Sequence, residues 1–432
     1  MAPFNNLLGL LSIFLSILLP SVTAQFKPIN PPAPLPPLPL HSSSRWILDN
    51  AGQRVKLRCV NWAGHMETNI PEGLHRQSID YIVDWIAAQG FNCVRLTYST
   101  DLALHPSTPV STSFETVARE WSRPALAALY PTITALNPWI TNATTVLDVF
   151  AQTVDRLFAK GVMTILDNHV SKASWCCNLT DGNGWWDEAF GYNQFNSRFF
   201  NTQDWLSGLQ QMAAWSQSHK GVVGMSLRNE LRAFLLQDLN GKRQDWYKFI
   251  KQGGDLVHAT NPDVLVIVGG AQSTTDLIHL RTHIPLDTSG WQGKNVWEMH
   301  AYSFTVTFPD PFKNCDAVKA AYGLWSGFVL EQGQSWTGPL ILSEFGAGMQ
   351  GGEEQYDGLN EKDNRYLNCL ISYMQNNDAE WAVWAVQGSY YIRDGQVDLD
   401  EGWGMMNHEW QGWRNHKFPE RLGDMWKMKQ KP

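Results

Sequence analysis

Eight short apolar runs punctuate the chain, at residues 55–62, 91–98, 162–168, 222–229, 264–270, 295–302, 339–344 and 380–387, and each reads as a buried strand. Between them lie helix-like stretches, among them 76–89, 146–160, 205–218, 243–259 and 361–375. Such alternation points to a parallel sheet, because parallel strands need a crossover and a helix is the usual one. Eight units over 432 residues fit a sheet closed on itself, an α/β fold of the (β/α)8 TIM barrel type. An open doubly wound sheet is the alternative. It would usually bring a glycine-rich phosphate loop after the first strand, and Asn61-Trp62-Ala63-Gly64-His65 is not one.

Polar and aromatic residues gather where these runs end: Asn61 and Trp62, Arg95 and Tyr98, Asn168 and His169, Asn229 and Glu230, His300 and Tyr302, Glu344, and Trp384. In a closed barrel the C-terminal strand ends share one face, the face that carries active sites. Two of these residues are glutamates that end apolar runs, in Ser226-Leu227-Arg228-Asn229-Glu230 and Ile341-Leu342-Ser343-Glu344. A glutamate at a buried strand end needs a partner or a task. Taken singly, each also reads as a solvated residue on a sheet rim. Taken together, they suit acid/base work on a sugar bond, where one carboxyl protonates and the other attacks.

The rest of the chain narrows the class. A net charge of −8 argues against nucleic acid or an anionic membrane as partner. Residues 1–24 read as a signal peptide: the apolar run Leu7 to Leu19 is short for a membrane span, and Val22-Thr23-Ala24 fits a cleavage site before Gln25. The basic n-region is missing. Residues 25–44 form a proline- and then serine-rich arm, either a tether or a wrapping segment. Residues 45–432 are the catalytic domain, and a secreted, extracellular, soluble monomer is expected. Two sequons, Asn142-Ala143-Thr144 and Asn178-Leu179-Thr180, agree with secretion.

Six cysteines suit an oxidising compartment and allow 15 pairings. Cys59 and Cys93 lie in strand-like runs and read as buried thiols. For the adjacent Cys176 and Cys177, a bond from one of them to Cys315 is expected, since all three lie in loops and a bridge between neighbours strains the peptide. No His-Glu-x-x-His and no paired Cys-x-x-Cys occurs, so no metal and no other cofactor is expected.

At the strand-end residues the chain resembles glycoside hydrolase family 5, the large cellulase-type family of clan A. The resemblance runs from about Trp46 through Trp384. The family carries an Arg on strand two, a His after strand three, Asn-Glu after strand four, His-x-Tyr after strand six, a Glu after strand seven and a Trp after strand eight. This sequence fills those positions in order with Arg95, His169, Asn229-Glu230, His300-Ala301-Tyr302, Glu344 and Trp384. It departs at Leu231, where Pro is common, and in a long insertion between Tyr98 and Val146. The segment from Ser174-Trp175-Cys176-Cys177 to Gly184-Trp185 resembles a subgroup found in secreted fungal and plant proteins.

The resemblance implies a retaining β-glycosidase with Glu230 as acid/base and Glu344 as nucleophile. Arg95, His169, Asn229, His300, Tyr302 and Trp384 would bind substrate or hold the carboxylates. Arg95 would keep Glu344 ionised, and proximity to Glu344 would hold the Glu230 proton. The implied substrate is a β-linked polysaccharide or oligosaccharide, first of all a β-1,4-glucan cut internally. The same constellation serves β-mannanases, β-1,3- and β-1,6-glucanases and exo-glycosidases, and a binding protein without turnover is the rival from another class. Trp175, Trp185 and Trp186 read either as floors of further sugar subsites or as loop core.

Overall fold

The eight apolar runs become eight parallel strands of a closed barrel. The computed structural model describes residues 34–234, 236–237, 243–305, 314–349 and 354–432. The strands are β1 (Arg58–Trp62), β2 (Cys93–Ser99), β3 (Met163–Val170), β4 (Val222–Ser226), β5 (Leu265–Gly269), β6 (Asn295–Ala301), β7 (Leu340–Phe345) and β8 (Glu380–Val383). Each pairs with its sequence neighbour, and β8 pairs with β1 to close the ring, Ala382 opposite Cys59. The barrel of the sequence reading is thus the observed fold, and the open sheet is excluded.

Period-two alternation sorts side chains between two cores. Cys93, Met163, Ile165, Leu265, Ile267, Val296 and Ile341 point into the barrel. Their strand neighbours Val94, Leu96, Leu166, Val266, Trp297 and Leu342 point out, into the layer under the helices. That layer is covered by α1 (Ile79–Ala88), α2 (Val146–Ala159), α3 (Thr202–Ser216), α4 (Gln244–Thr260), α5 (Cys315–Trp325) and α6 (Glu361–Asn377). Helix α2 shows why such segments form. Thr145 and Asp148 make a reciprocal capping box at its start, and Val146, Val149, Phe150, Val154 and Leu157 give it one apolar face, which is buried. The β5–β6 crossover carries only short helical turns, Ala271–Thr274, His279–Thr282 and Ser289–Trp291.

Three segments depart from simple strand–helix alternation. The described end of the N-terminal arm wraps rather than dangles. His41–Ser43 pairs with Trp46–Leu48 in a hairpin, and Leu40 and Ile47 plug the N-terminal mouth against Leu57, Cys59 and Val296. Residues 55–57 follow that hairpin, with Val55 N–H donating to Ile47 O at 2.9 Å, so β1 begins at Arg58 rather than at 55. The insertion after β2 folds into four short helices, Thr100–Leu104, Val110–Glu120, Pro124–Ala127 and Leu129–Leu136. After β8 comes a hairpin, Ser389–Arg393 with Gln396–Asp400. Its two turn residues, Asp394 and Gly395, both have positive φ (52° and 72°), the geometry an Asp-Gly turn favours. Arg123 of the insertion donates to Gly395 O at 2.7 Å and joins the two additions over the C-terminal mouth. The expected signal segment, residues 1–24, and the first part of the arm lie outside the described residues.

The disulfides correct the expected pairing. Cys59 and Cys93 are register partners on β1 and β2 and are bonded. Cys315 opens α5 on the outside of the barrel, where α5 packs on α6, and it bonds Cys369 there. Cys176 and Cys177 bond each other at the C-terminal mouth.

If the hairpin plug completes the inner core, Ile47→Ala, at a fully buried position, should lower the unfolding free energy by about 2–5 kcal/mol. Denaturant titration followed by tryptophan fluorescence measures this. A loss under about 1 kcal/mol would mean that the hairpin is only loosely applied to the barrel.

Candidate active site

Three inward positions near the C-terminal ends of the strands are charged where those below them are apolar. Arg95 stands two residues above Cys93 on β2, Asp167 two above Ile165 on β3, and Glu298 two above Val296 on β6. All three charges are fully buried. Arg95 Nη1 donates to Glu344 Oε1 at 2.7 Å and to Asn61 Oδ1 at 3.0 Å. Its Nη2 donates to Asn229 Oδ1 at 2.9 Å and lies 2.8 Å from Asp167 Oδ1 and 3.8 Å from Glu298 Oε2. Burial alone would lower the Arg95 pKa, but Asp167, Glu344 and Glu298 more than offset it and hold the cation firmly charged.

Above this charge cluster sit the two glutamates. Glu344 is on β7, and Tyr302, just past β6, donates its phenol to Glu344 Oε2 at 3.1 Å. A register shift between Met299 and His300 brings His300 directly beside Glu344. His300 Nδ1 lies 3.1 Å from Glu230 Oε1 and 3.6 Å from Glu344 Oε2. One carboxylate oxygen of Glu230 and one of Glu344 lie within 4.8 Å of each other. Glu230 follows β4 with φ of 42°, a conformation that non-glycine residues seldom adopt and that clusters at functional sites. Two backbone bonds hold it there: Asn229 N–H donates to Asn168 O at 2.9 Å, and Glu230 N–H donates to Thr274 Oγ1 at 3.1 Å.

The protonation pattern differs from expectation in its causes. Burial raises the Glu230 pKa to about 7, with Arg232 and Arg95 pulling against it and Asp181 and Asp167 adding to it. The proton on Glu230 is therefore held by desolvation first, and not by Glu344. Glu344 is not held low either: burial lifts it above the ordinary carboxylate range, and His300 and Arg95 draw it back. Its two donors, Arg95 and Tyr302, favour its ionised form. His169 is buried, and its pKa is far below the usual histidine value. In the neutral ring, Nδ1–H donates to Asp167 Oδ2 at 2.6 Å, which leaves Nε2 to accept from Asn229 Nδ2 at 3.3 Å. This tautomer follows from the hydrogen-bond network.

These groups line a cavity of about 280 Å3. All the expected site residues converge here, with Arg95 and His300 just behind the wall. Trp384 lies in its wall, stacked on His169 at 5.6 Å between centroids. Trp175 lines it too, and also borders a groove of about 940 Å3 beneath the insertion, where Trp121 stands. Trp185 and Trp186 do not reach it; they are fully buried in the outer core, so the loop-core reading holds for them. Trp62 and Tyr98 likewise point outward. Sequence reasoning missed Asp167 and Glu298, whose signal was a charge inside an apolar run. It also missed Phe304, Arg393, Glu401 and Trp403 on the cavity wall. Arg393 belongs to the hairpin after β8, and the Asp394-Gly395 turn was its signal.

Comparison with known proteins bears on this geometry. The sequence pattern of the cellulase family, glycosyl hydrolase family 5, matches residues 48–389. A glycosyl hydrolase 5 family protein of the conifer Chamaecyparis obtusa is 40% identical over 400 residues, covering 91% of this chain and 67% of the relative. An endoglucanase of Paenibacillus polymyxa is 20% identical over 399 residues, covering 87% and 84%. In fold, the chain is similar to an endocellulase of Pyrococcus horikoshii crystallised with cellotetraose (TM-score 0.67, 17% identity, 91% of this chain and 100% of that one).

Arg95 is the permanent cation among three carboxylates, so Arg95→Met should cost about 3–5 kcal/mol of stability. The sign with pH follows from the raised acids. Groups whose folded pKa exceeds the unfolded value, as for Asp167 and Glu344, lose stabilisation as pH rises, and removal of the cation enlarges that loss. Urea denaturation at several pH values should show a deficit that grows toward alkaline pH; a pH-independent deficit contradicts this account.

Proposed function

We propose that this chain, which belongs to glycosyl hydrolase family 5 and is a glycoside hydrolase, is a secreted enzyme that cuts internal β-1,4 bonds of a glucan with retention of configuration. The observation that carries the mechanism is the approach of Glu230 and Glu344 to within 4.8 Å, oxygen to oxygen. Retaining pairs lie about 5–5.5 Å apart, whereas inverting pairs leave a wider gap for a water. In the first step Glu344 attacks the anomeric carbon while Glu230 gives its proton to the departing glycosidic oxygen. A glycosyl ester on Glu344 results. In the second, Glu230 takes a proton from water, the hydroxide oxygen bonds the anomeric carbon, and Glu344 leaves.

Each neighbour then has a task. Arg95 and Tyr302 stabilise Glu344 as a carboxylate between turnovers and as a leaving group in the second step. Among the described residues Asn229 Nδ2 makes only long contacts, 3.3 Å to His169 and more to sulfur, so it has a hydrogen to give the sugar 2-hydroxyl. Trp384 provides an aromatic face for the sugar at the cleavage point. Endo action is supported by Trp175, which borders both the cavity and the larger groove, so a bound chain has room to continue past the reacting unit. The endoglucanases among the similar proteins support a glucan over a mannan. A polysaccharide panel with products sorted by length tests both choices: short oligomers from cellulose-type chains are expected, and preferential cleavage of mannan or release of monomer alone would replace this reading.

Glu344→Gly should lose turnover by a factor of 10^4 or more, roughly, and azide should restore cleavage with inverted product. A variant that keeps activity removes Glu344 from the nucleophile role. The pH profile of kcat/KM should be a bell. Its alkaline limb should lie near pH 7, where Glu230 loses its proton. Its acidic limb should lie above the ordinary carboxylate range, where Glu344 becomes ionised. A profile still rising past pH 8, or a Glu230→Gln variant with the alkaline limb unchanged, contradicts the assignment.

A further inference from the structure

A disulfide stabilises a fold chiefly by closing a loop in the unfolded chain. Cys59–Cys93 spans 34 residues and Cys315–Cys369 spans 54, but Cys176–Cys177 joins adjacent residues and closes no loop. Its value has to be local, and its surroundings are the reactive cavity, which both cysteines line. Asn229 Nδ2 donates to Cys176 Sγ at 3.6 Å and to Cys177 Sγ at 3.8 Å. Arg232 Nη1 donates to Cys176 Sγ at 3.6 Å as well. The same Arg232 Nη1 donates to the Glu230 backbone oxygen at 2.7 Å and lies 3.7 Å from Glu230 Oε2. The two sulfurs and a Glu230 carboxylate oxygen lie within 4.8 Å of one another.

We propose that the Cys176–Cys177 disulfide is a positioning element for the proton donor: its sulfur face holds the Arg232 guanidinium, and through it the Glu230 carboxyl. The bond locks two side chains that would otherwise rotate independently about χ1. Sulfur is a weak acceptor, and Asn229 is held by Arg95 and His169 as well, so its amide keeps its place when the disulfide opens. Asp181, ion-paired with Arg232 Nη2 at 2.8 Å, fixes the other arm of that guanidinium, and the disulfide supplies the contact on the Nη1 side. The proposal rests on Glu230 being the acid/base.

The test compares substrates that need protonation of the leaving group with one that does not. In Cys176→Ala/Cys177→Ala, kcat on cello-oligosaccharides should fall about 10-fold or more, and kcat on a 2,4-dinitrophenyl β-cellobioside by less than about 3-fold in its glycosylation step. Glu230→Gln, run in parallel, should show the same selectivity more strongly. Should the double variant fail to fold, the wild-type chain treated with a water-soluble phosphine gives the same comparison. There the S–S bond opens to two thiols as phosphorus takes oxygen from water, and alkylation with peptide mapping identifies which disulfide opened. A Cys315→Ser/Cys369→Ser background removes the other bond with a partly exposed sulfur, since Cys59 and Cys93 are fully buried. Equal loss on both substrate types, or no loss, overturns the positioning role while the Glu230 assignment stands. Equal loss in Glu230→Gln overturns that assignment and this inference with it.

Discussion

One buried guanidinium organises the top of the barrel. Arg95 reaches Asp167, Glu298 and Glu344 within 3.8 Å and is itself fully buried. A lone charge in that position would cost several kcal/mol, and three unpaired carboxylates more, so the cluster exists only as a unit. Its members come from β2, β3, β6 and β7, strands brought together only by closure of the barrel. The site therefore cannot form before the barrel does, and the barrel cannot close its upper layer without satisfying the site.

The charges in the cluster do not balance. One guanidinium faces three carboxylates, and burial raises both Asp167 and Glu344 above their ordinary range. With all three acids ionised the excess is negative, and it sits under the floor of the cavity. A glycosidic transition state carries positive charge at the anomeric carbon, and a preorganised negative field is worth more there than in water. On the proposed reading, the imbalance that burdens the folded protein is the one that favours the oxocarbenium-like sugar. Desolvation lifts the Glu230 pKa to about 7, and Arg232, which pulls against that rise, is shared with Asp181.

Much of this was legible in the sequence because it follows from period-two alternation. The apolar runs located all eight strands, and the polar residues at their ends marked the mouth. Residues that sit one step off the inward face were misplaced by that logic: Trp62 and Tyr98 end strands but point into the outer core, whereas Asp167 and Glu298 hide inside apolar runs and point inward. Disulfide pairing was not legible, since it depends on which helices pack outside the barrel, and α5 against α6 is a tertiary fact. The pKa assignment failed in its causes for a related reason. A sequence gives neighbours along a motif, but desolvation depends on everything packed around the group.

The two ends of the barrel divide the work between them. At the N-terminal mouth, Leu40, Ile47, Val55 and Leu57 complete the inner apolar core. At the C-terminal mouth the chain tolerates features that oppose folding: Glu230 at φ of 42°, and buried Arg95 Nε, Glu298 Oε2 and His300 Nε2, which have no hydrogen-bond partner among the described residues. Each such feature costs on the order of 1–3 kcal/mol. They persist because the same strands run continuously from the apolar base to the strained top. A strand whose lower residues are locked in the inner core, as Ile165 is two residues below Asp167, cannot slip to relieve its upper ones without turning its apolar face outward. The rigidity that holds Glu230 and Glu344 within 4.8 Å of each other is thus supplied from the opposite end of the barrel.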